Sequence, residues 1–293
     1  MSDPFRYKPF TLPLKPFSIG LSAIDPKQWI EPDGDLLSYL DEKNRLLETN
    51  RDDIFREVDG SREAQAEARD LLVQHLTAEH PELYCKEEDT IRFLDRAVEL
   101  HKPDIAPLLT AGSIVADDLV VLEKKPDGWN VTAGYVAFPS GWALREKAGL
   151  PMEGVHAHVP GFEGGTRNAM MINRIFDNLQ PDLPAARLNW SIYPEGELFW
   201  PPERGARAER NDFNPANNFI RVERQTLRRL PKTGAILFTI RIYQDPLTLL
   251  AGQPDRRELA LALAAKLEEF TPEQLRYKGM VKKKAALVEY LRG

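Results

Sequence analysis

The chain has 293 residues, of which 42% are hydrophobic and 29% are charged, and its formal net charge is −6. This length can bury a sizeable core as one large domain or two smaller ones. The negative charge gives no reason to expect nucleic acid or an anionic membrane as a partner. No stretch approaches the roughly 18 apolar residues of a membrane span. The chain does not open with a basic segment followed by an apolar run, so we expect a cytoplasmic protein.

The cysteine and glycine content excludes several kinds of site. Cys85 is the only cysteine, so a disulfide within the chain, a four-thiolate iron–sulfur cluster and a cysteine-based structural zinc site are excluded. The glycines at positions 161, 164 and 165 are not followed by Gly-Lys-Ser/Thr and do not lie between a strand and a helix. We therefore expect no nucleotide-binding loop there.

The N-terminal third is predicted to be an extended segment followed by helices. The first 30 residues are rich in proline and in aromatic residues such as Phe5, Phe10 and Phe17, which favour burial against the body of the protein. Helical spacing begins near Asp35, and Ser61 is placed to cap a longer helix. The sequence up to about residue 100 is therefore predicted to be mostly helical.

The remainder predicts a small antiparallel sheet. Two β-rich runs at 114–122 and 129–138 are joined by a turn at 125–128, and a second hairpin is expected from 219–230 and 235–243. Between them lie a predicted helix at 167–179 and a strand at 188–193, and a capping box marks a helix after Thr271. Two strands, a helical crossover and three strands predict an α+β fold with helices on one face of the sheet.

The stretch from Phe138 to Pro160 contains two of the five histidines, His156 and His158, one residue apart. An irregular segment after a strand can direct such a side chain into a pocket. Neutral imidazole is a common metal ligand and also an axial ligand of haem iron. The segment is therefore a candidate cofactor site, and a solvent-exposed or structural histidine is the alternative.

A mononuclear non-haem metal site is a second alternative. His156, His158 and Glu163 have the spacing of the first metal motif of a cupin. A cupin needs a further histidine on a later strand, and none follows His158. His75 and His80 are five residues apart on a predicted helix and should point about 140° from each other, so we do not expect them to share a metal.

Several groups of residues form a recognisable set. They are Phe138-Pro139-Ser140-x-Trp142, Glu146-Lys147-x-Gly149, Val155-His156 with Val159-Pro160, Arg187-x-Asn189-Trp190, and the run from Arg221 to Leu227 followed by Pro231-Lys232-Thr233-Gly234. Together with Gly20-Leu21 and Gln28-Trp29-Ile30 near the start, they resemble the family of the haem-dependent oxidative N-demethylase α subunit. The resemblance covers nearly the whole chain.

The resemblance implies a PAS-like domain that binds haem b through a histidine. It also implies oxidation of dimethylamine by O₂ to methylamine and formaldehyde. Electrons would come from NADPH through separate partners that carry FMN and a [2Fe–2S] cluster, and a further partner would handle tetrahydrofolate. The single cysteine and the missing nucleotide fingerprint suit an oxygenase subunit supplied by a reductase.

The family motif selects His156 as the iron ligand and includes Trp142 and Arg187, which the resemblance implies as cofactor-binding residues. His158 stands where we expect proline in the family, so His158 remains a substitute ligand.

Strand alternation suggests a residue for the other side of the haem. If Ile220 and Val222 share the inward face of the last two strands with Ile236, then Arg224 also points inward. An inward guanidinium could hydrogen-bond O₂, or pair with a haem propionate or a structural carboxylate. An ammonium substrate also needs a carboxylate in a desolvated site, for which Glu195, Glu197 and Glu223 are the candidates.

We therefore expect three regions: an extended and helical N-terminal region at 1–105, a PAS-like haem-binding domain at 106–250, and C-terminal helices at 251–293. The predicted activity is O₂-dependent N-demethylation of a small secondary amine, with Arg224 and Glu223 as candidate catalytic residues. The alternative from another class is a haem-based gas or redox sensor without turnover.

Overall fold

A computed structural model of the protein describes residues 4–207 and 214–293. The helices are α1 Leu36–Thr49, α2 Arg51–Ile54, α3 Arg62–Glu79, α4 Pro107–Gly112, α5 Met152–Val155, α6 Arg167–Asn178, α7 Pro202–Arg207, α8 Arg256–Glu269, α9 Pro272–Tyr277 and α10 Lys284–Arg292. The strands are β1 Ser22–Ala23, β2 Phe55–Glu57, β3 Tyr84–Glu87, β4 Thr90–Phe93, β5 Arg96–Glu99, β6 Asp118–Lys125, β7 Gly128–Tyr135, β8 Ala185–Tyr193, β9 Phe219–Arg229 and β10 Ile236–Pro246. Within these residues no helix is long and apolar enough to cross a membrane.

The strands form one large and one small antiparallel sheet. The large sheet has the order β1-β8-β9-β10-β6-β7-β2, and the small sheet has the order β3-β4-β5. The hairpins β6–β7 and β9–β10 and the intervening strand β8 confirm the predicted succession of strands. The prediction of an α+β fold is confirmed. The small sheet lies where the sequence predicted mostly helix, so that part of the prediction was wrong.

Helices pack on both faces of the large sheet, which corrects the prediction of helices on one face. Val120 and Leu122 of β6 pack with α6, which contributes Ile172 and Phe176. The alternate residues Leu119 and Val121 pack on the opposite side with side chains of α1, α3 and α4. Because neighbouring residues of a strand point to opposite faces, β6 is buried from both sides. We call the side of Val120 and Leu122 the cavity face and the other side the opposite face.

The terminal parts of the chain complete the opposite face. Phe5 and Phe10 of the proline-rich N-terminal segment are buried together with apolar residues of α8 and α10. This confirms that the segment packs against the body. The start of α9 has the predicted capping box, in which Thr271 accepts a hydrogen bond from the N–H of Gln274, whose side chain in turn accepts one from the N–H of Thr271. Such reciprocal bonds satisfy helix N–H groups that lack a partner within the helix.

The register of β9 with β10 corrects the predicted orientation of Arg224. Arg224 lies opposite Arg241, whereas Glu223 lies opposite Ile242 and Gln225 opposite Ile240. Residues directly opposite each other in an antiparallel pair project to the same face. Glu223 and Gln225 therefore project to the cavity face, and Arg224 projects to the opposite face. The predicted pairing was displaced by one residue, which reverses every side chain of a strand.

Candidate functional site

A cavity of about 1000 Å³ lies between the cavity face and the segment that connects β7 to α6. Its walls combine strand residues with residues of the connecting segment and α6, among them Val120, Leu122, Phe138, Trp142, Leu144, His156, Phe162, Ile172, Phe176, Leu227 and Phe238. The cavity also extends around the edge of β8 to the N-terminal segment and α9. Its volume is at the upper end of the roughly 300–1000 Å³ range of small-molecule and cofactor pockets, which are also mostly apolar.

His156 lies in this wall immediately after α5. Its N–H donates to the carbonyl of Met152 at 3.0 Å, and its ring lies beside that of Phe162, with 6.0 Å between the ring centroids. Burial, together with the nearby cations Arg187 and Lys147, lowers the pKa of His156 to about 4. The imidazole is therefore neutral at pH 7, which is the form that binds metal.

Lys147 fixes the turn that carries His156. Its ammonium group donates to the carbonyl of Val155 at 2.9 Å and so ties the residue before His156 to the preceding segment. His158 also borders the cavity, but it is exposed to solvent whereas His156 is largely covered. Burial thus distinguishes the two histidines that the sequence left as alternatives.

A row of polar side chains on β8 and β9 lines the same cavity as His156. Asn189 lies opposite Glu223, and Arg187 lies opposite Gln225. The carboxylate of Glu223 accepts hydrogen bonds from Asn189 at 3.2 Å and from Gln225 at 2.6 Å. Glu223 is only 8% exposed and makes no ion pair within 4 Å in the described part of the chain. The cavity therefore contains a carboxylate held only by amide groups.

Two cations border the same region. Arg187 donates to the carbonyl of Ser18 at 3.4 Å, but its Nε is buried and has no hydrogen-bond partner. Burial lowers the pKa of Arg187, and the charge of Glu223 opposes this change. Lys278, which follows α9, donates to the carbonyl of Trp190 at 2.6 Å. Burial lowers the pKa of Lys278 to about 8, the charge of Glu223 opposes this, and Arg187 contributes to it.

Arg224 has a different environment from the one predicted. It borders the part of the cavity that extends around β8, but its guanidinium donates to the carbonyls of Trp29, at 3.0 Å, and Gln28. Its Nε lies 3.3 Å from a carboxylate oxygen of Glu31. These contacts occupy all three nitrogens of the guanidinium. Arg224 therefore anchors the N-terminal segment.

Arg221 connects two segments at the rim of the cavity. Its guanidinium donates to the carbonyl of Phe138 at 2.8 Å, to the carbonyl of Leu198 at 3.0 Å and to the hydroxyl of Ser140 at 3.2 Å. The N–H of Gly141 donates to the carbonyl of Trp200 at 2.8 Å. The segment before Trp142 is thereby fixed to the segment after β8, and both line the cavity.

The other predicted carboxylates lie elsewhere. Glu195 and Glu197 both pair with Arg204, their side chains are 56% and 62% exposed, and neither lines the cavity. Glu163 is also absent from the cavity wall. Over residues 4–207 and 214–293, no three histidine, cysteine or acidic side chains lie close enough to hold a metal ion. The structure therefore does not support a non-haem site formed by residues 156, 158 and 163.

His75 and His80 do not point away from each other as predicted, because α3 ends at Glu79 and His80 is not helical. Their ring centroids are 5.9 Å apart. The Nε2 of His75 accepts from the N–H of Ile30 at 3.4 Å, and that of His80 donates to the carbonyl of Ile30 at 3.2 Å. Both histidines therefore hold the backbone of one N-terminal residue.

A model of the haem-dependent oxidative N-demethylase, alpha subunit-like family matches residues 20–288. The chain belongs to this family. The match includes every strand and helix of the cavity wall and confirms the resemblance inferred from the motifs. The family name implies dependence on haem, oxidative removal of a group from nitrogen, and a place as one subunit of a larger assembly.

The residues of the cavity suit a haem. A neutral imidazole at a largely apolar wall can ligate iron, and the volume, at about 1000 Å³, accommodates a large cofactor. The guanidinium of Arg187, whose buried Nε is unpartnered among the described residues, suits an anionic group of such a ligand. Each feature is a property of the protein alone, and together they agree with the family match.

The structure brings His156, Trp142, Arg187 and Glu223 to one cavity. Sequence reasoning missed Lys278, because nothing near residue 278 indicates that α9 ends beside β8. Asn189 and Gln225 also border the cavity next to Glu223. The correct register of β8 and β9 would have identified both as neighbours of Glu223 in the cavity.

Proposed function

We propose that this chain is the haem b-binding subunit of an enzyme that uses O₂ to demethylate a small secondary amine such as dimethylamine, with release of formaldehyde. The observation that carries the proposal is that His156, as a neutral imidazole, and Glu223, as a carboxylate with no ion pair within 4 Å among the described residues, border the same apolar cavity. The first suits iron and the second suits an ammonium group.

His156 would hold the iron, and the aromatic wall that includes Trp142 and Phe162 would pack against the porphyrin. When bound, the haem supplies the redox chemistry with O₂. Arg187 would bind the cofactor from β8. The order of the five strands β7-β6-β10-β9-β8, with the helical crossover between β7 and β8, supports a PAS-like domain.

Glu223 would hold the amine. A secondary ammonium ion has two N–H donors, and the carboxylate offers lone pairs beyond those used by Asn189 and Gln225. Because the site is partly desolvated, such a charge-assisted hydrogen bond contributes more than it would in water. The amides of Asn189 and Gln225 orient the carboxylate, so the methyl groups of the substrate would contact the apolar wall.

The overall reaction fixes what partners must supply. Dimethylamine, O₂, two electrons and two protons give methylamine, formaldehyde and water. We propose that NADPH supplies these electrons through a cytoplasmic partner with FMN and a [2Fe–2S] cluster, and that a tetrahydrofolate-binding partner accepts the formaldehyde.

The contacts of Arg224 favour a structural role near the cavity, because Gln28, Trp29 and Glu31 occupy its guanidinium. We therefore do not assign contact with O₂ to Arg224. Glu223, the other candidate catalytic residue, is the one we propose to touch substrate.

The test combines a spectrum with product analysis. The purified chain is reconstituted with haem b, and we expect a Soret band that His156→Ala abolishes and His158→Ala retains. The reduced holoprotein is then given dimethylamine and O₂, and formaldehyde and methylamine are measured. Equal amounts of both products support the enzyme. Haem binding without either product would favour the sensor, and absence of a Soret band would refute both.

A further inference from the structure

Arg187 and Lys278 are two cations that make no ion pair within 4 Å in the parts of the chain at 4–207 and 214–293. Among these residues, Arg187 hydrogen-bonds to the carbonyl of Ser18, and its buried Nε is unpartnered. Lys278 is engaged by the carbonyl of Trp190 and lies over the ring of Phe17, 5.3 Å from its centroid. A buried cation without an anion is unfavourable unless a ligand supplies one.

Both cations border the cavity beside Glu223, whose charge affects each of them. The three groups together carry two positive charges and one negative charge. Without a ligand, these three groups have a net charge of +1, which disfavours an ammonium ion near Glu223. The arrangement needs further negative charge before a cationic amine can bind well.

We infer that Arg187 and Lys278 form a carboxylate-binding pair for the two propionates at one edge of the porphyrin, and that the amine site at Glu223 becomes favourable only when these carboxylates are in place. This inference rests on the proposed function. Arg187 presents a planar guanidinium suited to a carboxylate, whereas Lys278 acts as a point charge. With both propionates bound, the local charge changes from +1 to −1, and one ammonium ion neutralises it.

The position of the pair relative to His156 agrees with this inference. Arg187 of β8 and His156 line the same cavity, so a porphyrin held by His156 would lie between walls that include β8. Lys278, which follows α9, reaches β8 through its hydrogen bond to the carbonyl of Trp190, three residues after Arg187. The two cations thus approach one side of the cavity from different elements.

The test compares haem b with its dimethyl ester, in which both carboxylates are neutral. Dissociation constants for the full chain and its variants are measured by titration of the Soret band. We expect the ester to bind about tenfold or more weakly to the unmodified protein, the magnitude of a lost charged hydrogen bond. Arg187→Met and Lys278→Met should each weaken the binding of haem b by a similar factor, whereas the affinity for the ester should change little.

Matched variants separate the pair from a general effect of charge or folding. Arg276 also borders the cavity but is exposed, so Arg276→Met should bind haem b like the unmodified protein. Arg187→Lys should recover part of the affinity lost in Arg187→Met. Thermal unfolding of each apoprotein shows whether a variant is folded. Equal affinities for haem b and its ester, or unchanged haem b binding in folded Arg187→Met and Lys278→Met, would overturn the inference.

Dimethylamine binding tests the dependence on the propionates. In calorimetric titrations we expect on the order of tenfold weaker binding to protein reconstituted with the ester than to protein reconstituted with haem b. Equal amine affinity in the two forms would overturn this part of the inference. Loss of the Soret band in His156→Ala alone would still support the proposed haem site, so the two proposals can fail separately.

Discussion

The guanidinium of Arg221 lies 2.8 Å from the backbone carbonyl of Phe138, although 83 residues separate them in the sequence. Arg221 is 1% exposed and also bonds to Leu198 and Ser140. One buried side chain of β9 therefore fixes the two segments that form the rim of the cavity.

Arg221→Met should destabilise the protein and loosen the cavity. The substitution leaves buried carbonyl groups without donors, and each such group costs about 1–3 kcal/mol. We expect a fall of at least about 2 kcal/mol in the free energy of unfolding, measured with urea. Arg145→Met is the control, because Arg145 is exposed and pairs with Asp53 and Glu203 at the surface, where ion pairs contribute at most about 1 kcal/mol. Similar losses in both variants would contradict the prediction.

The pH dependence of stability should report on His156. Its pKa is about 4 in the folded protein and about 6.5 in an unfolded chain. Between these values the unfolded state binds more protons, so the stability of the apoprotein, complete above about pH 6.5, decreases as the pH falls towards 4. His75, whose pKa burial also lowers to about 4, adds to this dependence.

His156→Gln should therefore reduce the loss of stability between pH 7 and pH 5, measured by urea unfolding of the apoprotein at both values. His158→Gln is the matched control, since residue 158 is exposed, and it should keep the full dependence. If both variants lose as much stability as the unmodified protein, the buried neutral state of His156 is refuted.

Glu223→Gln should weaken the binding of the amine without preventing the binding of haem. The substitution keeps the size of the side chain and removes the charge that would face the ammonium ion. We expect dimethylamine to bind at least about tenfold more weakly to the holoprotein, since a hydrogen bond to a charged group contributes about 1.5–3 kcal/mol. The Soret band should be retained. Glu195→Gln is the control, because the side chain of Glu195 is exposed. A comparable loss of dimethylamine affinity in both variants would exclude a specific role for Glu223.

Lys43→Met should be strongly destabilising. The ammonium of Lys43 donates to the carbonyls of Gly112 and Val115 at 3.2 and 3.0 Å, and the charge of Asp118 counters the effect of burial on it. Burial raises the pKa of Asp118 to about 6. Removing one partner of a buried ionic group costs about 3–5 kcal/mol. Urea unfolding measures the loss, and the exposed Lys86→Met should change stability by no more than about 0.5 kcal/mol.

The longer strands and helices could be predicted from the sequence, because the residues of each element and the turn or cap residues next to it indicate the same structure. The β9–β10 hairpin has two β-rich runs around Pro231-Lys232-Thr233-Gly234, and α6 begins after Thr166, which accepts a hydrogen bond from the N–H of Ala169. The β3–β5 sheet had no such signals. Its strands are four residues long, and its turns place the non-glycine residues Glu88 and Leu94 at positive φ, where glycine is the usual residue.

The site was predicted only as far as family motifs and strand order allow. His156, Trp142 and Arg187 lie in the motifs, and all three border the cavity. The predicted orientation of Arg224 was wrong. The alternation of side chains along a strand defines its two faces, but it does not show which face of β9 lies beside which face of β10. The turn sets that register, and a displacement of one residue exchanges the faces. Lys278 depends on the packing of α9 against β8, which no local pattern encodes.

The brevity of β1 has a consequence for association between molecules. β1 pairs only with Ala185 and Ala186, the first two residues of β8, so the rest of that strand has no neighbouring strand in the described structure. An uncovered strand edge is a template for pairing with another chain, and lysine is a common protection against it. Lys278 occupies the carbonyl of Trp190 on this strand. The same ammonium group that lines the cavity therefore also occupies a carbonyl that a second chain would need for edge-to-edge pairing.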